Sequence, residues 1–193
     1  MNAPFNPSRA LAATVFFALG CLTPLMLQAK GPAVGDVAPD FKLPRVGEEG
    51  FLSLKEATQT GPVVVVVLRG YPGYQCPLCN DQVAALANRA PALAKLTKRV
   101  ILVYPGEASA LDEHAEEFIG ARTLPEPLVL VRDPDMKMVS EYGLRWDAPN
   151  ETAYPAAFVV DGHGQVKWSK VSESHGGRSS AQEIVEQLVK LQR

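Results

Sequence analysis

The stretch VVVVVLRGYPGYQCPLCN, Val63 to Asn80, decides the fold. A β-branched run, apolar at every position, reads as a strand covered on both faces and therefore central in its sheet. A Gly/Pro-rich turn follows, then Cys76 and Cys79 at C-x-x-C spacing, then an amphipathic helical pattern. The pair thus falls on the first turn of a helix that leaves a buried strand. Backbone N–H groups are unpaired there and carry partial positive charge, which stabilises a thiolate. A free cysteine has a pKa of about 8.5, and such sites lower it to roughly 3.5–7.5. Cys76, nearer those N–H groups, is the expected nucleophile and Cys79 the resolving thiol. Pro77 suits an early helical position because the N–H it lacks has no helical partner there.

Other uses of two cysteines are weighed against this. A structural zinc site needs four ligands, and there is no second cysteine pair; His114, His163 and His175 do not fall at ligand spacings. A purely structural disulfide across two residues would constrain the unfolded chain little. Redox chemistry is the favoured reading.

Outward from this stretch, 193 residues with 47% hydrophobic content suffice for one full core. A net charge of −2 without basic clusters argues against nucleic acid as a partner. Residues 1–29 read as an export segment, with Arg9 ahead of apolar runs at Ala10–Leu19 and Cys21–Leu27. Three fates stay open: cleavage after Ala29, lipidation at Cys21, or retention as an uncleaved anchor. Each places the protein outside the cytoplasm, in or facing the periplasm, with membrane contact only through this segment. Past the leader, Cys76 and Cys79 are the only cysteines, so no disulfide framework exists. An exported pair would drift toward oxidation without a dedicated reductant.

The domain is expected over residues 34–193. Val37 and Phe41 are available to pack in the entry segment; residues 51–54 suggest a short strand and Leu54–Thr58 a helical turn. Val83, Leu86, Ala87, Ala90, Leu93 and Leu96 keep helical spacing, with Pro91 kinking that helix or starting its second half. Val100–Tyr104 is the next buried strand. Ser109 starts a helix with Asp112 as a partial capping box, and Leu128–Val131 is a strand stopped at Asp133-Pro134. Met136–Tyr142 is a helix ending at Gly143. Ala157–Val160 and Val166–Val171 flank Asp161-Gly162-His163-Gly164, a hairpin signal. The last helix opens with the capping box Ser180-Ala181-Gln182-Glu183. This order gives an α/β fold: a central mixed sheet with helices on both faces, closed by an antiparallel hairpin and a helix.

Together these motifs resemble the AhpC/TSA (redoxin) branch of the thioredoxin-like superfamily. Gly35-Asp36-Val37-Ala38-Pro39-Asp40-Phe41 is similar to the family's G-D-x-A-P-x-F opening. Cys76-Pro77-Leu78-Cys79 follows the central strand, as the family's active cysteine does. Asp133-Pro134-Asp135 with Tyr142-Gly143 resembles its D-P-x…Y-G pattern, and Pro155 to Asp161 its P-x-x-F-x-x-D segment. The resemblance spans nearly everything from Val34 to Arg193. It implies a thioredoxin-like fold, and a cis Pro155 opposite the cysteines that presents backbone to a thiol-bearing substrate. One departure stands out. Peroxiredoxins carry a hydroxyl residue three positions before the active cysteine and a proline four before that; here those positions are Gly73 and Arg69.

Among further site candidates, Tyr74 is expected to wall the site. Arg69 and Arg178 can each offer positive charge to the thiolate, with Arg69 preferred. Trp146 and Trp168 read as packing, and His163 and His175 receive no role. The favoured activity is thiol–disulfide exchange with disulfide-bearing proteins or small disulfides. The alternative is a thiol peroxidase in which Cys79 condenses with a sulfenic acid on Cys76. A third reading, a copper carrier, ranks below both, because no histidine lies between Trp146 and Pro155. Either enzyme needs an external thiol reductant and no cofactor or metal beyond the cysteine pair.

Overall fold

The computed structural model describes Met1 and residues 31–192; apart from Met1, the segment expected to direct export lies outside the described residues. Five strands form the main sheet. They are β3 (Val63–Val67), β4 (Arg99–Gly106), β5 (Leu128–Pro134), β6 (Ala156–Val160) and β7 (Val166–Val171), in the order β5-β4-β3-β6-β7. Strands β3, β4 and β5 run parallel; β6 and β7 are antiparallel. The valine run is the middle strand, and all five side chains are fully buried. A small hairpin, β1 (Lys42–Pro44) with β2 (Phe51–Ser53), lies outside this sheet.

Alternate residues of β3 feed two cores. Val64, Val66 and Leu68 pack with Val83 and Leu86 of α2 (Pro77–Asn88), Leu111 and Phe118 of α4 (Leu111–Ile119), and Ile184 and Leu188 of α6 (Ala181–Leu191). Val63, Val65 and Val67 pack with Leu43 and Leu52 of the hairpin, Leu54 of α1 (Leu54–Thr58), and Met138 and Val139 of α5 (Lys137–Glu141). Burying a valine contributes about 1.5–3 kcal/mol, so the central strand is a main source of stability.

The helix following the cysteines ends at Asn88, and α3 (Ala90–Leu93) restarts with a proline in its first turn, which is the break Pro91 foretells. The Ser180 capping box forms as expected, with Ser180 accepting from the Glu183 N–H and Glu183 from the Ser180 N–H. At Ser109 it does not: α4 is capped at Ala110 with no side-chain bond. Asp133-Pro134 does not stop β5, which stays paired through Pro134 opposite Gly106. Asp133 instead turns a buried carboxylate onto the N–H groups of Met138 and Val139, 2.9 and 3.0 Å away, and so caps α5 from the strand. That helix ends at Gly143, with φ +64°, and the Tyr142 hydroxyl donates to the Pro39 carbonyl at 2.7 Å. Two distant motifs thus meet physically. In the entry segment Phe41 is buried, but the Val37 side chain is exposed while its backbone bridges to Gln165, just ahead of β7.

Candidate active site

The turn from β3 to α2 is shaped by glycine. Gly70 has φ +72°, and a Cβ there would stand 1.9 Å from the Pro105 carbonyl oxygen. Gly73 has φ +111°, a backbone that a β-branched residue does not adopt without strain. The missing hydroxyl is therefore built into the course of this loop. Gln75 is pinned from both sides: it accepts from the buried Tyr104 hydroxyl at 2.8 Å and donates to the His114 carbonyl at 2.9 Å.

Cys76 is the N-cap of α2, in extended conformation, with Pro77 in the first turn. Its sulfur stands where a serine or aspartate oxygen usually caps a helix, accepting from the Cys79 N–H at 3.3 Å. Both cysteines are reduced and buried, Cys76 at 3% exposure and Cys79 at 0%. The hydrogen bond from the Cys79 thiol lowers the Cys76 pKa most. Burial opposes it, while the Cys79 N–H, Arg178 and then Arg69 add to it, bringing the thiol to about 6. Cys79 is pushed up, by donating that same bond and by burial. The structure thus distinguishes a thiolate at Cys76 from a protonated thiol at Cys79.

The cation at the sulfurs is Arg178. Its Nη2 lies 3.6 Å from Cys76 Sγ and 3.5 Å from Cys79 Sγ. The guanidinium is held by Gln82 Oε1 at 3.1 Å and by the His175 carbonyl, which accepts from Nε at 3.0 Å. Gln82, one turn beyond Cys79 on α2, also donates to the Ser179 carbonyl at 3.1 Å. The preference for Arg69 is corrected. Arg69 is 3% exposed and its guanidinium is committed elsewhere: Nε to Glu151, one Nη to the Tyr74 hydroxyl at 2.6 Å, the other to the Asn150 carbonyl at 2.6 Å. It acts on the thiolate only through its more distant charge. Tyr74 is 47% exposed beside this network, at the mouth of the site.

Pro155 is also corrected. Among the described residues the cis bond is Glu126–Pro127, so Tyr154–Pro155 is trans. Pro155 precedes β6, and its carbonyl accepts from the Ser172 N–H at 2.8 Å, an ordinary proline at a strand start. It still lies at the cysteine end of the sheet, since Ala156 pairs with Val67.

Sequence reasoning missed Glu151 and His175. The Glu151 carboxylate, 10% exposed, takes Arg69 on one oxygen and His175 Nε2 on the other, the latter at 2.8 Å. Burial opposes its ionisation, but the bonds from Arg69 and His175 prevail and hold the carboxyl below its usual value. Nothing in the local sequence marks either residue; only the topology brings them together. Trp146 stacks on Tyr154 at 4.6 Å beside His175, whereas His163 sits in the distant hairpin. Among the described residues, no three His, Cys, Asp or Glu side chains converge as metal ligands.

A buried dithiol on a helix N-terminus, one sulfur ionised and one protonated under a shared arginine, defines a thiol-dependent oxidoreductase. Residues 34–169 match the model of the AhpC/TSA family, and the chain belongs to that family. It is 28% identical over 152 residues to Peroxiredoxin-2 of Macaca fascicularis, covering 76% of this chain and 73% of that one. The figure for Peroxiredoxin-2 of Bos taurus is 27% over 151 residues, covering 76% and 72%. The fold is similar to that of a reduced peroxiredoxin of Vibrio vulnificus in complex with hydrogen peroxide (TM-score 0.67, 17% identity, 84% of this chain and 99% of that one). It is also similar to AhpC of Enterococcus faecalis (TM-score 0.65, 19% identity, 82% and 92%).

Proposed function

We propose that this protein is a thiol peroxidase that reduces hydroperoxides, with Cys76 as peroxidatic and Cys79 as resolving thiol. The observation that carries this reading is the burial of an ionised Cys76: at 3% exposure the sulfur suits a substrate as small as a hydroperoxide better than a folded protein's disulfide. The peroxiredoxin relatives support the same choice. Thiol–disulfide exchange, favoured from sequence, loses one of its supports with the trans Pro155.

The Cys76 thiolate attacks the distal oxygen of ROOH. The O–O bond breaks, sulfur is oxidised to the sulfenic acid, and ROH leaves with a proton taken from solvent. The Cys79 thiol then attacks that sulfur, an S–S bond forms and water departs. Arg178, touching both sulfurs, favours each thiolate in turn. An external thiol reductant reopens the disulfide. The reading of residues 1–29 as an export segment supports a cycle that runs outside the cytoplasm. Stopped-flow oxidation of the reduced protein by hydrogen peroxide tests the reading, with C76S as control. Fast, Cys76-dependent oxidation at low micromolar peroxide is expected; a rate no better than a free thiol's returns the function to disulfide exchange.

A further inference from the structure

The reacting thiol is flanked by two loops of separate origin, and one carboxylate ties them together. The first loop, Arg69 to Gln75, enters α2. The second, Ser172 to Ser180, delivers Arg178 to the sulfurs. Glu151 belongs to neither. Its own segment is fixed by Arg145, whose Nη1 donates to the carbonyls of Trp146, Glu151 and Thr152 at 2.7, 3.1 and 2.6 Å, and by Thr152, whose hydroxyl donates to the Arg69 carbonyl.

We infer that Glu151 is a positioning residue that sets where Arg178 sits over the cysteine pair, acting through His175. The chain of contacts is continuous. Glu151 Oε1 holds the His175 ring, and the His175 carbonyl receives Arg178 Nε at 3.0 Å; Nη2 of the same guanidinium meets both sulfurs. The other carboxylate oxygen fixes Arg69, and through it Tyr74, so both walls of the site share one reference point. His175 is 44% exposed at its side chain, and loop 173–177 is open to solvent except at that residue. Gln82 holds the guanidinium from the other side and Trp146 packs against the His175 ring, while the Glu151 bond is what ties that ring to the Arg69 wall. The inference needs Cys76 as the reacting thiol, whichever substrate oxidises it.

The sign of one pKa change separates this from a simple charge effect. Removing a carboxylate near a thiolate, with nothing moving, lowers the thiol pKa. If Glu151 positions Arg178, E151Q raises the Cys76 pKa instead, because the cation drifts away. A rise of about half to one unit corresponds to an iodoacetamide rate near pH 6 that falls about two- to fivefold. H175N, at a half-exposed site and with Glu151 still paired to Arg69, is expected to raise the pKa in the same direction. In an R178M background neither substitution should change the pKa further. Alkylation and 240 nm thiolate absorbance of the reduced protein read this without any peroxide, so the result is independent of the peroxidase assay. A Cys76 pKa that falls or stays put in E151Q and H175N overturns the inference. So does a rise that persists undiminished in R178M.

Discussion

Replacing Arg178 with methionine removes the charge at the sulfurs and keeps much of the side chain's length. At the observed 3.6 Å, a unit charge pair is worth about 1 kcal/mol in bulk water and about 4–5 kcal/mol at an effective dielectric of 20. The Cys79 hydrogen bonds act more strongly on Cys76 than Arg178 does, which places the arginine toward the lower end. One pKa unit is about 1.4 kcal/mol, so R178M should move Cys76 from about 6 to about 7. Near pH 6 the thiolate fraction then falls from about one half to about one tenth, and alkylation slows about fivefold. Thiolate absorbance and the pH profile of iodoacetamide labelling measure both quantities, and R178K should recover part of the shift. An unchanged Cys76 pKa in R178M would refute the electrostatic assignment.

Three further outcomes are expected. C79S should still be oxidised once by peroxide and then hold a sulfenic acid that dimedone traps, while C76S gives no adduct; labelling of C76S but not C79S would reverse the roles of the cysteines. G70A should destabilise the protein by more than about 1 kcal/mol in urea unfolding, since it combines positive φ with a backbone clash; a neutral effect would show that the turn can relax. The reduced protein should gain stability with rising pH between about 6, the folded pKa of Cys76, and about 8.5, its unfolded value. That contribution is full above the unfolded value and is lost as pH falls through the folded one. Cys79, whose pKa is held up in the folded state, works the other way as its unfolded thiol ionises toward about 8.5, so the gain flattens at the upper end of this window. A C76S variant should lack the slope; if it keeps it, the slope belongs to another group.

How much was legible follows from the range of each interaction. The central strand, the cysteine cap, the broken helix at Pro91 and the Ser180 box are local, written within a few residues, and the structure reproduces them. Asp133 looked like punctuation because its carboxylate is spent five and six residues away, on α5 rather than in its own turn. Arg69 looked like the thiolate's cation because it lies seven positions before Cys76, yet its guanidinium is drawn off by Glu151, which is 82 positions distant. Arg178 reaches the sulfurs from about a hundred residues downstream. Spacing cannot report such meetings. Gly73 is different: its departure from the peroxiredoxin loop was plain, but only its φ shows that a hydroxyl residue would not fit this backbone.

The unequal ionisation of the two sulfurs fixes how many protons accompany the electrons. Closing the disulfide removes two electrons. Above about pH 6 only one proton leaves with them, from Cys79, because Cys76 has already lost its own. Below that pH both protons leave. The midpoint potential should therefore fall by about 59 mV per pH unit on the acid side and by about 30 mV on the neutral side. A protein facing a compartment of variable acidity would thus carry a couple whose response to pH halves near the point where its thiolate appears.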